Sequence, residues 1–98
     1  MSQHRMRYVI TYDIQEDRLR DHIAKLLKAA GFRVQKSVFE CMLDAKELDR
    51  LIGRLGRSIE GQTGADVRIY RLCASCFAAS FGLGEVELGT GAEPWVVV

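Results

Sequence analysis

The chain has 98 residues, of which 48% are hydrophobic, and its 14 basic and 13 acidic side chains give a formal net charge of +1. This length suits one domain with a small core. The near-zero net charge excludes a strong electrostatic attraction of the whole protein to nucleic acid, so a nucleic-acid site would need local clusters of Arg and Lys. The first six residues lack the apolar segment of a signal peptide, and no apolar run is long enough to span a membrane. We therefore expect a soluble, cytoplasmic protein.

The first predicted strand ends in a carboxylate. Residues 8–12 are apolar and β-rich, Asp13 follows them, and an acidic stretch typical of helix starts comes next. Apolar side chains then recur at helical spacing over residues 15–30, and Gly31 follows as a C-terminal stop. A carboxylate at a strand end is well placed to meet a ligand. An Asp in this position is also a common helix cap, and from position alone capping is the commoner role.

The hydrophobic pattern changes phase after the first helix. Apolar residues alternate in one phase up to residue 38 and in the other phase from Phe39 to Leu43. Because a slip of one residue exchanges the two faces of a strand, the change predicts a bend, bulge or tight turn near residues 37–39, with a strand on each side. Phe39 is expected in the core or at a dimer interface. Ser37 has no His placed to activate it, so we expect it to hydrogen bond at the bend.

A second helix is predicted to begin at Asp44, which forms a capping-box pattern with Glu47. Residues 61–64, with a Gly at each end, terminate this helix, and residues 66–72 alternate as a strand does. The resulting order is strand, helix, strand, strand, helix, strand. It predicts an α+β, ferredoxin-like βαββαβ sandwich in which both helices pack on one face of an antiparallel four-stranded sheet.

We predict a single domain over residues 1–98, with a core of about 6–73 and a C-terminal segment of about 74–98. Residues 85–88 alternate as an additional C-terminal strand would, and the apolar residues 95–98 would be an aggregation hazard unless they pair with something. A second copy of the chain is the simplest partner. We therefore expect a homodimer, with the C-terminal segment serving dimerisation or strand exchange.

The three cysteines, Cys41, Cys73 and Cys76, do not suggest a disulfide framework. Cys73 and Cys76 have the spacing of a redox pair or of half a zinc site. The other half of a zinc site is missing, and the pattern predicts no strand-to-helix connection of the thioredoxin kind. We interpret these two residues as small hydrophobes near a strand end. His4 and His22 have no metal-ligand spacing and are assigned no catalytic role.

Basic residues concentrate on and just after the first helix, and again along the second helix. The first group is Arg18, Arg20, Lys25, Lys28, Arg33 and Lys36, and the second is Arg50, Arg54 and Arg57. Both groups could hold phosphates, since arginine makes bidentate contacts with them. The alternative is an ordinary solvated helix face, because acidic residues are interspersed. Neither group alone establishes nucleic-acid binding.

Asp13 is the candidate metal ligand and catalytic residue. Mg²⁺ prefers octahedral oxygen ligation by one or two carboxylates, completed by water and phosphate, so one Asp is a poor site. Two-fold symmetry could supply the second carboxylate. If the dimer axis passes near the end of the first strand, Asp13 of both protomers would share Mg²⁺, which could polarise a phosphodiester.

Four segments together resemble the CRISPR-associated protein 2 family. They are Tyr12-Asp13-Ile14, then Leu19-Arg20, then residues 31–40, and then Val67-Arg68-Ile69-Tyr70. The match spans about residues 6–73. The resemblance implies a ferredoxin-like homodimer in which Asp13 approaches its symmetry mate, and a metal-dependent nuclease activity, acting on RNA or DNA, that has been ascribed to some members. It assigns Tyr12 and Asp13 to the strand-end motif, Arg20 and Arg33 to basic positions, and Gln35, Ser37 and Phe39 to the bend motif.

The resemblance also implies a second role, as a central dimer that bridges copies of the integrase, CRISPR-associated protein 1, and binds the duplex DNA being inserted. Integration chemistry then belongs to the partner, and candidate contacts to the DNA backbone are Arg50, Arg54 and Arg57. Some members carry Arg where this chain has His22. Because histidine is largely neutral near pH 7, a phosphate contact there would be weaker and pH-dependent. The fold leaves open the alternative of a regulatory or small-ligand-binding dimer without nuclease activity.

Overall fold

A computed structural model describes residues 4–83 and places an antiparallel sheet at the centre of the fold. The elements in chain order are β1 (Met6–Ile14), α1 (Asp17–Ala30), β2 (Gly31–Gln35), β3 (Val38–Leu43), α2 (Ala45–Ile59), β4 (Ala65–Leu72) and the short α3 (Ala74–Ala78). The strand order is β2-β3-β1-β4, so β1 is central and pairs with β3 and β4. The predicted α+β, ferredoxin-like core is confirmed. The predicted strand at 85–88 and the apolar tail lie outside the described residues.

The core lies between one face of the sheet and helices α1 and α2. Along β1 the even-numbered residues from Tyr8 to Ile14 are buried, whereas the odd-numbered residues face the other side. Ile10 lies opposite Phe39 on β3 and Ile69 on β4, so one layer of apolar side chains crosses three strands. The remaining buried members of this core are Ile23, Ala24, Leu27, Cys41, Leu43, Leu51 and Leu55. Phe39 is therefore a core residue.

The two long helices begin at different kinds of cap. The Asp44 side chain accepts a hydrogen bond from the Glu47 amide at 2.8 Å, and the Glu47 side chain accepts one from the Asp44 amide at 2.9 Å, which confirms the predicted capping box of α2. In α1 the cap is Glu16, whose carboxylate accepts from the amides of Arg18 and Leu19. The helix thus begins at Asp17, two residues later than predicted, and Asp13 takes no part in capping it.

Gly31 is required for a different reason from the one its position after a helix suggests. Its φ of −168° is extended rather than left-handed, and it is already the first residue of β2. A Cβ at Gly31 would lie 2.1 Å from the carbonyl oxygen of Glu40 and 2.7 Å from the sulfur of Cys41. The glycine therefore permits β2 to approach β3 closely. Left-handed glycines occur instead at Gly61 and Gly64, in the predicted turn after α2.

The predicted bend between β2 and β3 is present as a turn at residues 36 and 37. The register of the two strands shifts between Arg33 and Gln35, which accounts for the change of hydrophobic phase. At the turn the carbonyl of Ser37 accepts a hydrogen bond from the Tyr12 amide at 3.1 Å. Ser37 thus hydrogen bonds at the bend as predicted, through its backbone, and it fastens the turn to the end of β1.

Within residues 4–83, the sheet face opposite α1 and α2 is only partly covered. Near one end the Phe77 ring of α3 lies 3.7 Å from the Arg7 guanidinium, and Arg7 pairs with Glu40 at 3.7 Å with both side chains largely buried. Farther along this face Tyr70 is 52% exposed. Of the helices in residues 4–83, none is both long and apolar enough to cross a membrane.

Candidate functional site

A cleft of about 390 Å³ opens at the carboxyl end of β1. Its lining residues come from β1, α1 and the β2–β3 hairpin, and they are Tyr12, Asp13, Ile14, Arg20, Asp21, Ala24, Arg33, Lys36 and Ser37. Five of the predicted site residues are therefore brought together. The other two residues of the bend motif are elsewhere: Gln35 is exposed on β2 and does not line the cleft, and Phe39 is fully buried in the core.

Asp13 is an exposed carboxylate at the end of the central strand. The pairing of β1 with β4 places Asp66 directly opposite it, and like charges at such positions repel each other. Arg68, which pairs with Thr11, is a nearby cation on this face. Contact with Tyr70 and, next, the negative charges of Asp66 and Asp13 raise the pKa of Arg68. Asp66 carries no signal in the sequence, because only the strand register reveals that it neighbours Asp13.

Tyr12 lines the cleft but offers no free aromatic surface to a ligand, and its main role is to hold neighbouring groups in place. The ring is 5% exposed and stacks on Phe39 at 6.3 Å between ring centroids. Its hydroxyl donates a hydrogen bond to the Lys36 carbonyl at 3.0 Å and accepts one from the Arg33 guanidinium at 3.5 Å. Tyr12 therefore holds the β2–β3 turn and one cationic side chain against the end of β1.

Three cationic side chains line the cleft. Arg20 donates hydrogen bonds to the carbonyls of Ile14 at 3.0 Å and Gln15 at 3.3 Å, and it also pairs with Asp17. These contacts anchor its guanidinium where β1 passes into α1. The Arg33 guanidinium lies 5.1 Å above the Phe39 ring, and exposed Lys36 follows it on the turn. Three cations beside the carboxylates of Asp13 and Asp21 suit a phosphate-bearing ligand.

The cleft has the donor chemistry for a hydrated Mg²⁺ ion but not for a metal held by protein alone. Within residues 4–83 no three Asp, Glu, His or Cys side chains are grouped so that they could hold a metal ion. Asp13, with Asp66 opposite it, offers carboxylate oxygens at the end of the strand. Mg²⁺ is commonly bound by one or two carboxylates with water and substrate phosphate completing its shell. The residues present therefore fit that ion.

The predicted DNA-contact residues lie on a different surface. Arg50 and Arg54 border a hollow between α1 and α2, and Arg54 and Arg57 border a second hollow with His22 and Ser58. His22 Nε2 lies 3.1 Å from the Ser58 hydroxyl. None of these arginines lines the Asp13 cleft, and neither does His22. We refer to this exposed group, Arg50, Arg54 and Arg57 with His22, as the basic helix surface.

The cysteines occupy contrasting environments. Cys41 is 1% exposed, and burial, followed by the charge of Glu40, raises its thiol pKa to about 11. Cys73 and Cys76 are both exposed. They do lie near a strand end, as predicted. The expectation of no strand-to-helix connection is wrong, because Cys73 is the N-cap of α3 immediately after β4.

Replacing Glu16 by Ala should lower the free energy of unfolding by about 1 kcal/mol, because two amides at the start of α1 lose their acceptor. Asp13→Asn should leave stability unchanged or raise it slightly, since it removes repulsion with Asp66. Urea denaturation of the two variants and the wild type measures both effects. An equal loss in Asp13→Asn would show that Asp13 supports the fold, contrary to this geometry.

Comparison with known proteins identifies the family. The sequence model of CRISPR associated protein Cas2 matches residues 6–79. A "CRISPR-associated endoribonuclease Cas2 1" from Chloroflexus aurantiacus is 51% identical over 71 residues, which are 72% of this chain and 76% of the relative. The structure of Streptococcus pyogenes Cas2 has a TM-score of 0.65 at 30% identity and covers 76% of this chain and 93% of its own. A chain in a partial Cas6-RT-Cas1–Cas2 complex has a TM-score of 0.61 at 28% identity, covering 76% and 87%. This chain therefore belongs to the CRISPR-associated protein Cas2 family.

Proposed function

We propose that this chain is a Mg²⁺-dependent endoribonuclease that acts as a homodimer and uses Asp13 as its metal ligand. The observation that carries the proposal is the position of Asp13, an exposed carboxylate with no capping role, in a cleft whose rim carries Arg20, Arg33 and Lys36. The name of the Chloroflexus relative, an endoribonuclease, supports RNA as the substrate.

Each cleft residue has a part in this chemistry. Lys36 and the Arg33 guanidinium bind the phosphates that flank the scissile bond and stabilise the charge that develops there. Tyr12 keeps Arg33 and the turn in place through its hydroxyl. Asp13 supplies carboxylate oxygen to Mg²⁺. The ion, when bound, supplies Lewis-acid polarisation of the phosphodiester.

A homodimer would complete the site, and the partly covered sheet face is where we place the second copy. This face carries Asp13 and Tyr70 together with half-buried Val9, and among residues 4–83 α3 covers only the part around Arg7. A sheet with one bare face gains stability by burying it against another surface. An isologous interface there would bring the two Asp13 carboxylates toward a common axis and provide a second carboxylate for Mg²⁺.

The test is cleavage of end-labelled single-stranded RNA and of duplex DNA by purified protein, with Mg²⁺ or with EDTA. The proposal expects RNA to be cut in Mg²⁺ and EDTA to abolish the cut. If duplex DNA is cut and RNA is not, duplex DNA is the substrate and the assignment to RNA is wrong. If neither substrate is cut, the proposal of nuclease activity is wrong. The remaining functions are then a regulatory or small-ligand-binding dimer and the DNA-binding role described below.

A second function is supported by the basic helix surface and by the complex that contains both Cas1 and a similar chain. Here the dimer bridges subunits of the Cas1 integrase and binds duplex DNA during spacer acquisition. Arg50, Arg54 and Arg57 contact the phosphate backbone in this role. Because that surface and the Asp13 cleft are separate, one molecule can serve both functions, and variants can separate them.

Arg54→Glu should weaken duplex DNA binding by about tenfold at low salt and reduce the salt slope by about one, because a phosphate contact is lost. RNA cleavage should not change. Lys46→Glu, an equal charge reversal at the start of the same helix, is the control and should bind normally. Fluorescence anisotropy over a salt series gives both quantities. Unchanged DNA binding by Arg54→Glu at low salt would show that Arg54 does not contact the DNA.

A further inference from the structure

The sequence Cys73-Ala74-Ser75-Cys76 presents two thiols at the opposite end of β1 from the Asp13 cleft. It follows Leu72, which pairs with Arg7, whereas Asp13 lies six residues farther along β1. At about 3.3 Å per residue, the two sites are roughly 20 Å apart. The nuclease chemistry proposed above uses neither thiol, so their arrangement calls for a separate explanation.

The sulfur of Cys73 is surrounded by hydrogen-bonding groups from its own segment. The Cys76 amide donates to it at 3.3 Å, and the Ser75 hydroxyl lies 3.3 Å away. Hydrogen bonds to a thiolate stabilise the charged form. Contacts with Ser75 and then with Cys76 accordingly lower the pKa of Cys73 to about 7, while the pKa of Cys76 is raised by its contact with Cys73.

The two thiols are therefore unequal, exposed and close to each other. Since the thiolate is the nucleophile, the first attack on an exchangeable sulfur falls to Cys73. Cys76 lies in the same helical turn, with its amide on the Cys73 sulfur, so its thiol is close enough to displace a group attached there. Cys41 lacks these properties, because it is buried and its pKa is raised.

We propose that Cys73 and Cys76 form a thiol–disulfide exchange pair that reacts with low-molecular-weight disulfides. The Cys73 thiolate attacks one sulfur of the disulfide R–S–S–R, forms a Cys73–S–S–R bond and releases one thiolate, RS⁻. Cys76 then loses its proton and attacks the Cys73 sulfur, forming the Cys73–Cys76 disulfide and releasing the second RS⁻. The protein dithiol is oxidised and the small disulfide is reduced to two thiols.

The test uses oxidised glutathione as the probe and intact-protein mass spectrometry as the readout, with full-length wild type, Cys76→Ser and Cys73→Ser at pH 7. Wild-type protein should lose two hydrogen atoms in mass and accumulate no adduct. Cys76→Ser should accumulate one glutathionyl group, mapped to Cys73 by peptide analysis. Cys73→Ser should form its adduct about tenfold more slowly, since little Cys76 thiolate is present.

The rate for Cys76→Ser should rise with pH through the Cys73 pKa of about 7 and level off at higher pH, because the nucleophile is the deprotonated form of Cys73. Ser75→Ala in that background removes one hydrogen-bond donor and should move this rise to higher pH. Equal rates for Cys73→Ser and Cys76→Ser, a stable glutathione adduct on the wild type, or disulfides only between chains would each overturn the proposal. These outcomes do not depend on nuclease activity.

Discussion

Replacing Asp13 by Asn should reduce Mg²⁺-dependent RNA cleavage by at least about 100-fold, because the change removes the charge of the proposed metal ligand while keeping its shape. The loss should be catalytic rather than structural. Because Asp13 is exposed and α1 is capped by Glu16, the substitution should not lower the stability of the fold. RNA binding through Arg33 and Lys36 should survive.

Single-turnover cleavage rates of the wild type, Asp13→Asn and Asp49→Asn measure this effect. Asp49 is an exposed carboxylate on α2 outside the cleft, so its variant controls for the loss of one negative charge. Thermal denaturation should show no loss of stability in either variant, and their elution in size-exclusion chromatography should be unchanged. Cleavage by Asp13→Asn within about threefold of the wild type would show that the carboxylate is not a catalytic group.

A mixed dimer separates a shared site from two independent sites. One wild-type and one Asp13→Asn subunit, carrying different tags, can be co-expressed and purified through both tags. A shared ion predicts that this dimer is as inactive as the variant homodimer. Independent sites predict about half the wild-type rate, because each protomer of a symmetric dimer then works alone.

Gly31→Ala should lower the free energy of unfolding by about 3 kcal/mol or more, since the new methyl group would overlap the Glu40 carbonyl in the neighbouring strand. That oxygen belongs to the backbone of β3 and cannot rotate away. The two strands must separate, and with them the hairpin that carries Arg33 and Lys36. For a chain of this size the melting temperature should fall by roughly 12 °C or more.

Gly56→Ala is the matched control for this substitution. Gly56 lies within α2, and a Cβ there would meet nothing within 4 Å. Because alanine favours helix more than glycine does, this variant should gain about 0.4–1 kcal/mol. Calorimetry of the two variants and the wild type gives the comparison. A mild loss in Gly31→Ala, comparable to an ordinary surface change, would mean that β2 tolerates a wider spacing from β3.

Features that depend on local spacing could be predicted from the sequence. The capping box of Asp44 and Glu47 is an i, i+3 pattern, and the change of phase before Phe39 is visible because strand faces alternate residue by residue. Gly31 shows the limit of such patterns. A glycine after a helix predicts a left-handed cap, whereas its actual role depends on the approach of β3, which spacing along the chain does not reveal.

The candidate site was predictable in its residue types but not in its arrangement. Asp13, Arg20 and Arg33 were identified from position and family resemblance, and the fold brings them into one cleft. Asp66 could not be found, because its relation to Asp13 is set by the β1–β4 register. The capping role favoured for Asp13 was wrong because β1 continues to Ile14 and the helix begins at Asp17, which makes Glu16 the N-cap.

The central place of β1 has a consequence for biosynthesis. This strand is made first, yet one of its two neighbours is β4, whose last residue is Leu72. Pairings between segments so distant in sequence form slowly, and an unpaired strand edge invites association with other chains. A product that ends before β4 therefore leaves β1 with one edge open. Premature termination in that region should yield an aggregating fragment and not a smaller working domain.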